Sequence, residues 1–210
     1  MQFVIIILFT RILGPSDFGT YAFFMSLSFL ISSPLQMAVN TFAVRWVPRD
    51  NTLPNKQLAR QAIKYGEQFV LRASLIIFFV VMLFVWMIAR ESVLVPLILG
   101  FFSFLMIINE WYSGLIRASH RVGFSLILES LIRPIILIFI ALLAVFEINH
   151  KIFSINDALA SQFISAAIAL LSGYWIRKKL VTIKASVKVL KKTIRRLFRK
   201  SMRGYVIQGM

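Results

Sequence analysis

The chain has 210 residues, 59% of them hydrophobic and 15% charged, with a formal net charge of +16 and a mean hydropathy of +0.82. Such apolarity excludes an ordinary soluble domain, and the lack of cysteine excludes disulfides, thiolate metal sites and a cysteine nucleophile. The basic excess would point to nucleic acid in a soluble protein; in a membrane protein, basic inner loops and anionic lipid account for it, and no nucleic-acid partner is expected.

Crossing a hydrocarbon layer about 30 Å thick takes about 20 apolar residues in a helix. Residues 1–13 are apolar but too short to cross, and no basic residue precedes them as in a signal peptide, so they read as the last half of a helix. The stretch RILGPSDFGTYAF, residues 11–23, then packs Gly14, Pro15, Ser16, Asp17 and Gly19 into a tight polar turn. Backbone amides left bare in lipid are costly, so this turn belongs outside the hydrocarbon, with Ser16 or Asp17 placed to cap the next helix. Complete spans are predicted over 18–44, 69–89, 93–116, 124–146 and 158–176. Ser161, Ser165, Ala169 and Gly173, spaced by four, put small side chains on one face of the last span and predict close packing inside the bundle.

Residues 177–203 carry Leu180, Ile183, Val187, Leu190, Ile194 and Leu197 as one stripe between Lys and Arg. This is a basic amphipathic segment suited to the inner headgroup region. Residues 204–210 turn apolar again, as if another span were starting, so a longer parent protein is expected. The 45–68 connection and the segment after 176 read as cytoplasmic, and no soluble domain fits between the spans. The expected fold is therefore an all-α membrane bundle of about six transmembrane helices, the first incomplete. Nineteen Lys and Arg fall in the loops and tail on one side, against Arg11, Arg90 and Lys151 on the other, which places the basic side in the cytoplasm and the Gly14-Pro15 turn outside.

Ionised groups inside a span cost about 2.5 to 3.5 kcal/mol on insertion scales, so each calls for a partner or a task. Glu129 and Arg133 are four apart on one helical face, with Ser125 on the same stripe, and can neutralise each other. Pro134 removes a backbone donor beside Arg133 and predicts a kink. Counted from residue 124, Arg133 lies about 14 Å deep, too far to snorkel. Two readings stand: an internal salt bridge, or a guanidinium facing a hydrated cavity where it holds phosphate oxygens. Glu110, after Asn109, is expected at the depth of Glu129; the two carboxylates share a proton or couple to a cation if their helices meet, or Glu110 bonds to Ser113. Arg72, about one turn inside its span, reads as a snorkelling arginine, with the cavity as its other possible place.

Nucleotide-loop, zinc-helix and nucleophile-elbow patterns are missing, and His120 and His150 fall on opposite sides of the membrane, so they do not form one metal site. No enzymatic activity, metal or cofactor is expected.

The incomplete first span ending in RILGPSDFGTYAF, with Arg11, Gly14, Pro15, Phe18 and Gly19, closely resembles the first outer turn of bacterial polysaccharide flippases in the multidrug/oligosaccharidyl-lipid/polysaccharide exporter superfamily. Residues 117–144, RASHRVGFSLILESLIRPIILIFIALLA, look like that family's fourth loop and fifth helix. The resemblance covers most of the chain as one six-helix half. It implies two lobes around a cavity that opens alternately to either side of the bacterial plasma membrane, passing a lipid-linked oligosaccharide diphosphate outward. Arg133 and Arg72 would then be candidates for the diphosphate, and Glu129, Glu110 and Asn109 for proton or sodium coupling. A second lobe or a second copy is the expected partner. The rival expectations are a nontransporting membrane scaffold with a lipid- or partner-binding basic tail, and a cation-coupled drug exporter of the same superfamily.

Overall fold

The computed structural model describes residues 2–46, 53–89, 93–118, 122–127, 131–147 and 154–180. These residues form six α-helices: α1 (Gln2–Trp46), α2 (Leu53–Ala89), α3 (Leu94–Ala118), α4 (Val122–Ile127), α5 (Arg133–Glu147) and α6 (Ile155–Leu180). Among the described residues there is no strand. Helices satisfy their own backbone in lipid, which is why an apolar chain adopts them throughout. Four are long and apolar enough to cross a membrane, over Phe3–Arg45, Ile63–Ile88, Leu94–Ala118 and Ile155–Ile176. The protein is a multi-pass helical membrane protein.

α1 is two limbs joined at Gly14, whose φ of 78° and ψ of 166° lie in a region open essentially to glycine alone. The rings of Phe9 and Tyr21 come within 5.5 Å. Twelve residues of straight helix would hold them about 18 Å apart, so the first limb folds back along the second. Pro15 opens the second limb, where its missing N–H costs nothing. Helix therefore begins earlier than expected: Ser16 and Asp17 lie within the first turn instead of capping it, and the Ser16 carbonyl accepts from Thr20 Oγ1 at 3.3 Å. Arg11 and Gly19 are exposed, and Phe18 is half-buried.

α2 starts sixteen residues before the predicted span, so much of the expected 45–68 loop is helix. Its polar first half suits water while the helical backbone continues unbroken; at about 1.5 Å per residue α2 is longer than any hydrocarbon layer requires. α3 is the central element, burying Leu99, Phe102, Trp111 and Leu115 almost completely against α1, α2 and α6. Gly114 lets α1 approach: a Cβ there would lie 2.7 Å from that of Ala43 and 3.1 Å from the Asn40 carbonyl oxygen.

The predicted 124–146 span is described as α4 and α5, and residues 131 and 132, just ahead of Pro134, are π-helical. A widened turn at this point accommodates the donor that proline removes. α6 begins with a capping box, in which Ser154 N and Oγ donate to Asp157 Oδ2 at 2.9 and 2.8 Å. Ser161, Ser165, Ala169 and Gly173 are all buried. The basic stripe from Ile183 onward and residues 204–210 lie outside the described residues.

Candidate functional site

Arg133 is the first residue of α5, directly after the π-helical turn, and its position brings it into the centre of the bundle. Its Nη2 donates to Gln162 Oε1 of α6 at 3.0 Å, and Gln162 Nε2 donates to Tyr21 Oη of α1 at 2.6 Å. Three helices are thus tied through one amide, which uses its acceptor toward the cation and its donor toward the phenol. The guanidinium carbon lies 5.2 Å from the ring centre of Phe102 and 5.9 Å from that of Phe29. Those two rings meet edge to face at 5.9 Å, so the cation is flanked by aromatic faces. Arg133 Nε is buried without a hydrogen-bond partner among the described residues.

The group lines a cavity of about 520 Å³ bounded by both limbs of α1, by α5 and by α6. Ile5, Phe9, Met25 and Leu137 supply apolar wall, and Arg133 is the one charged residue among the described lining residues. Phe102 lies eight residues into α3, about 12 Å from its start, so this level is close to the midplane of a 30 Å layer.

Glu110 occupies a different level, about 12 Å further along α3 than Phe102. Its Oε2 accepts from Asn40 Nδ2 at 2.8 Å. Asn40 ends a polar ladder on α1: Ser28 Oγ donates to the Phe24 carbonyl, Ser32 Oγ to that of Ser28, and Gln36 Nε2 to Ser32 Oγ at 2.8 Å. Asn109 is buried, and its Oδ1 has no donor among the described residues. Ser113 Oγ meets Ser125 Oγ at 2.7 Å, and Arg117 Nε donates to the same Ser125 oxygen at 2.8 Å, which fastens α4 to α3.

Of the residues singled out in the sequence, Arg133 lines the cavity, as does Phe18 of the turn motif. Arg72 is exposed on α2 and is not among the lining residues. Glu129 lies outside the described residues, and with it the expected Glu129–Arg133 pair and any meeting of Glu129 with Glu110. Gln162 and Tyr21 escaped the sequence reading. Each left a signal there: Gln162 is an amide inside an apolar run between Ser161 and Ser165, and Tyr21 lies in the turn stretch, two residues after Gly19.

Comparison with curated proteins and with solved structures finds no match. The family model described as polysaccharide biosynthesis protein matches residues 1–206, and the chain therefore belongs to the polysaccharide biosynthesis protein family.

Proposed function

We propose that this chain forms one lobe of a transporter that moves a lipid-linked oligosaccharide across the bacterial plasma membrane by alternating access, with the basic loops and tail cytoplasmic. One observation carries the reading: a cavity near the midplane whose charged lining group is a guanidinium. In a low-dielectric interior a fixed cation favours an anionic passenger and repels a cationic one, so a diphosphate suits this site and an organic cation does not. Arginine's planar fork fits phosphate oxygens, and Arg133 Nε makes no hydrogen bond among the described residues. Family membership supports a role in polysaccharide assembly rather than in drug export. Glu110, held by Asn40 and a helix level away from Arg133, is the carboxylate we assign to proton or sodium coupling. Rocking motion needs a second lobe, supplied by further sequence or by a second copy.

The test replaces Arg133 by Ala at the chromosomal gene of the source organism and measures surface polysaccharide together with lipid-linked precursor. Export should fall at least about tenfold, the effect of losing one charge-assisted hydrogen bond, with precursor accumulating at the inner leaflet. Undiminished export would remove Arg133 from the mechanism.

A further inference from the structure

The cavity does not account for Arg72. This residue lies on α2 within the apolar span Ile63–Ile88, is exposed, and makes no hydrogen bond or ion pair among the described residues. An ionised group inside a span needs a partner, so that of Arg72 lies outside these helices. Gln68 and Lys64, one and two turns earlier, are exposed as well and have no polar partner among the described residues. Spaced by four, the three side chains line up on one face of the helix.

That face is directed away from the bundle. α2 packs on α3 and α1, and beyond Arg72 its other side continues through Leu75, Phe79, Leu83 and Trp86, all exposed. Such a surface suits acyl chains, and Trp86 stands near the far end, where aromatic side chains mark the opposite interface. Ile88 ends the apolar span and sets the far edge of a layer about 30 Å thick. Arg72, sixteen residues away, is then about 24 Å in, Gln68 is at the near boundary, and Lys64 is about 6 Å beyond it. A long stem lets the guanidinium snorkel outward while the ammonium already stands among headgroups, so both reach the level of lipid phosphates.

Charge selects among lipids. Glu67, the one acidic residue of α2, has a carboxylate oxygen fully buried and so turns off this face. Two cations and a neutral amide remain, a set that favours an anionic headgroup over a zwitterionic one, whose own ammonium is repelled. Behind the face, Gly66 sits against the Trp111 ring with no room for a Cβ between them, so the backbone that presents Lys64 and Gln68 is held by α3.

We propose that Lys64, Gln68 and Arg72 form a binding site for one anionic phospholipid of the leaflet on the basic side, with its phosphate on Arg72 and Lys64 and its acyl chains along Leu75 and Phe79. The site is on the outer wall of the bundle and does not depend on what the Arg133 cavity carries. A lipid held there fastens the inner end of α2 at the level where Gly66 meets Trp111.

The test places the full chain in phosphatidylcholine nanodiscs with a small fraction of phosphatidylglycerol that carries a diazirine at the top of one acyl chain, and maps the label by digestion. Label should fall within residues 64–79. Unlabelled phosphatidylglycerol should displace it from this stretch at least about tenfold better than phosphatidylethanolamine. Lys64→Gln combined with Arg72→Gln should lower labelling here at least about tenfold, since each basic group near an anionic surface contributes roughly fivefold, and should leave any label on residues 177–203 unchanged. Arg72→Lys should keep most of the labelling, as a charge requires and a purely steric role does not. Both positions are exposed, so the variants should stay monodisperse; if the double variant aggregates, Arg72→Gln alone gives the same reading at roughly fivefold. Equal displacement by phosphatidylethanolamine, label that maps elsewhere, or undiminished labelling of the glutamine variants would overturn the proposal. So would protection of residues 64–79 by self-association, seen as a doubled mass, which would give this face to a second copy of the chain.

Discussion

The connection from Tyr21 through Gln162 to Arg133 makes a quantitative prediction about how the bundle is held together. Gln162→Met keeps the length of the side chain but removes the acceptor for Arg133 Nη2 and the donor to Tyr21 Oη, which now sit at 3.0 and 2.6 Å. A hydrogen bond to a charged group contributes about 1.5–3 kcal/mol to stability, and a buried donor left without a partner costs a similar amount. Neutral side-chain bonds inside membrane bundles average only about 0.6 kcal/mol, because the unfolded chain in the micelle also finds partners. The cationic donor and the aromatic flanks place this interaction well above that average, and we expect Gln162→Met to lose about 2 kcal/mol. Arg133→Met should lose less, because it removes the costly buried cation along with the bond. In the double variant both partners are apolar, so the two losses should not add. The predicted coupling is about 1.5 kcal/mol, roughly a tenfold change in the folded-to-unfolded ratio. Equilibrium unfolding in mixed micelles titrated with SDS measures all four proteins. Strict additivity, with coupling under about 0.5 kcal/mol, would show that the amide does not hold the guanidinium and would refute the reasoning.

Two further outcomes test the backbone and the packing by the same titration. Gly14→Ala should cost about 1–3 kcal/mol purely through its φ of 78° and ψ of 166°, since a Cβ there meets nothing within 4 Å. Gly19→Ala, also in open space but with helical backbone, should be neutral or stabilising by up to about 1 kcal/mol; similar losses at both sites would contradict the bend as described. Gly114→Ala should cost about 1–3 kcal/mol by pushing α1 off α3, and Ala43→Gly added to it should recover part of the loss, because the tightest contact is with the Ala43 Cβ at 2.7 Å while that with the Asn40 carbonyl at 3.1 Å remains. No recovery in the pair would place the strain elsewhere.

The solvent of this protein, its helical class and the bend at Gly14-Pro15 are legible in the residues alone. Each follows from local chemistry: apolar runs of spanning length, the obligation to satisfy backbone groups in lipid, and a dipeptide that suits a sharp change of direction. The spacing of Ser161, Ser165, Ala169 and Gly173 likewise marked a buried face, because small residues four apart stack on one side of any helix. Reading charge as a boundary was less successful at α2, whose polar first half continues the helix out of the apolar region. A depth count singled out Arg133 as a group in need of a partner, yet periodicity along one helix cannot reveal what a neighbouring helix presents. Tyr21 and Gln162 are 141 positions apart and meet only because α6 packs against α1. The same packing sets Phe29 and Phe102 around the cation, leaves Arg72 exposed on α2, and puts Asn40 beside Glu110. Local chemistry dictates which groups are too costly to leave bare in lipid; helix packing chooses what each of them touches, since those contacts span distances over which a linear pattern carries no geometry.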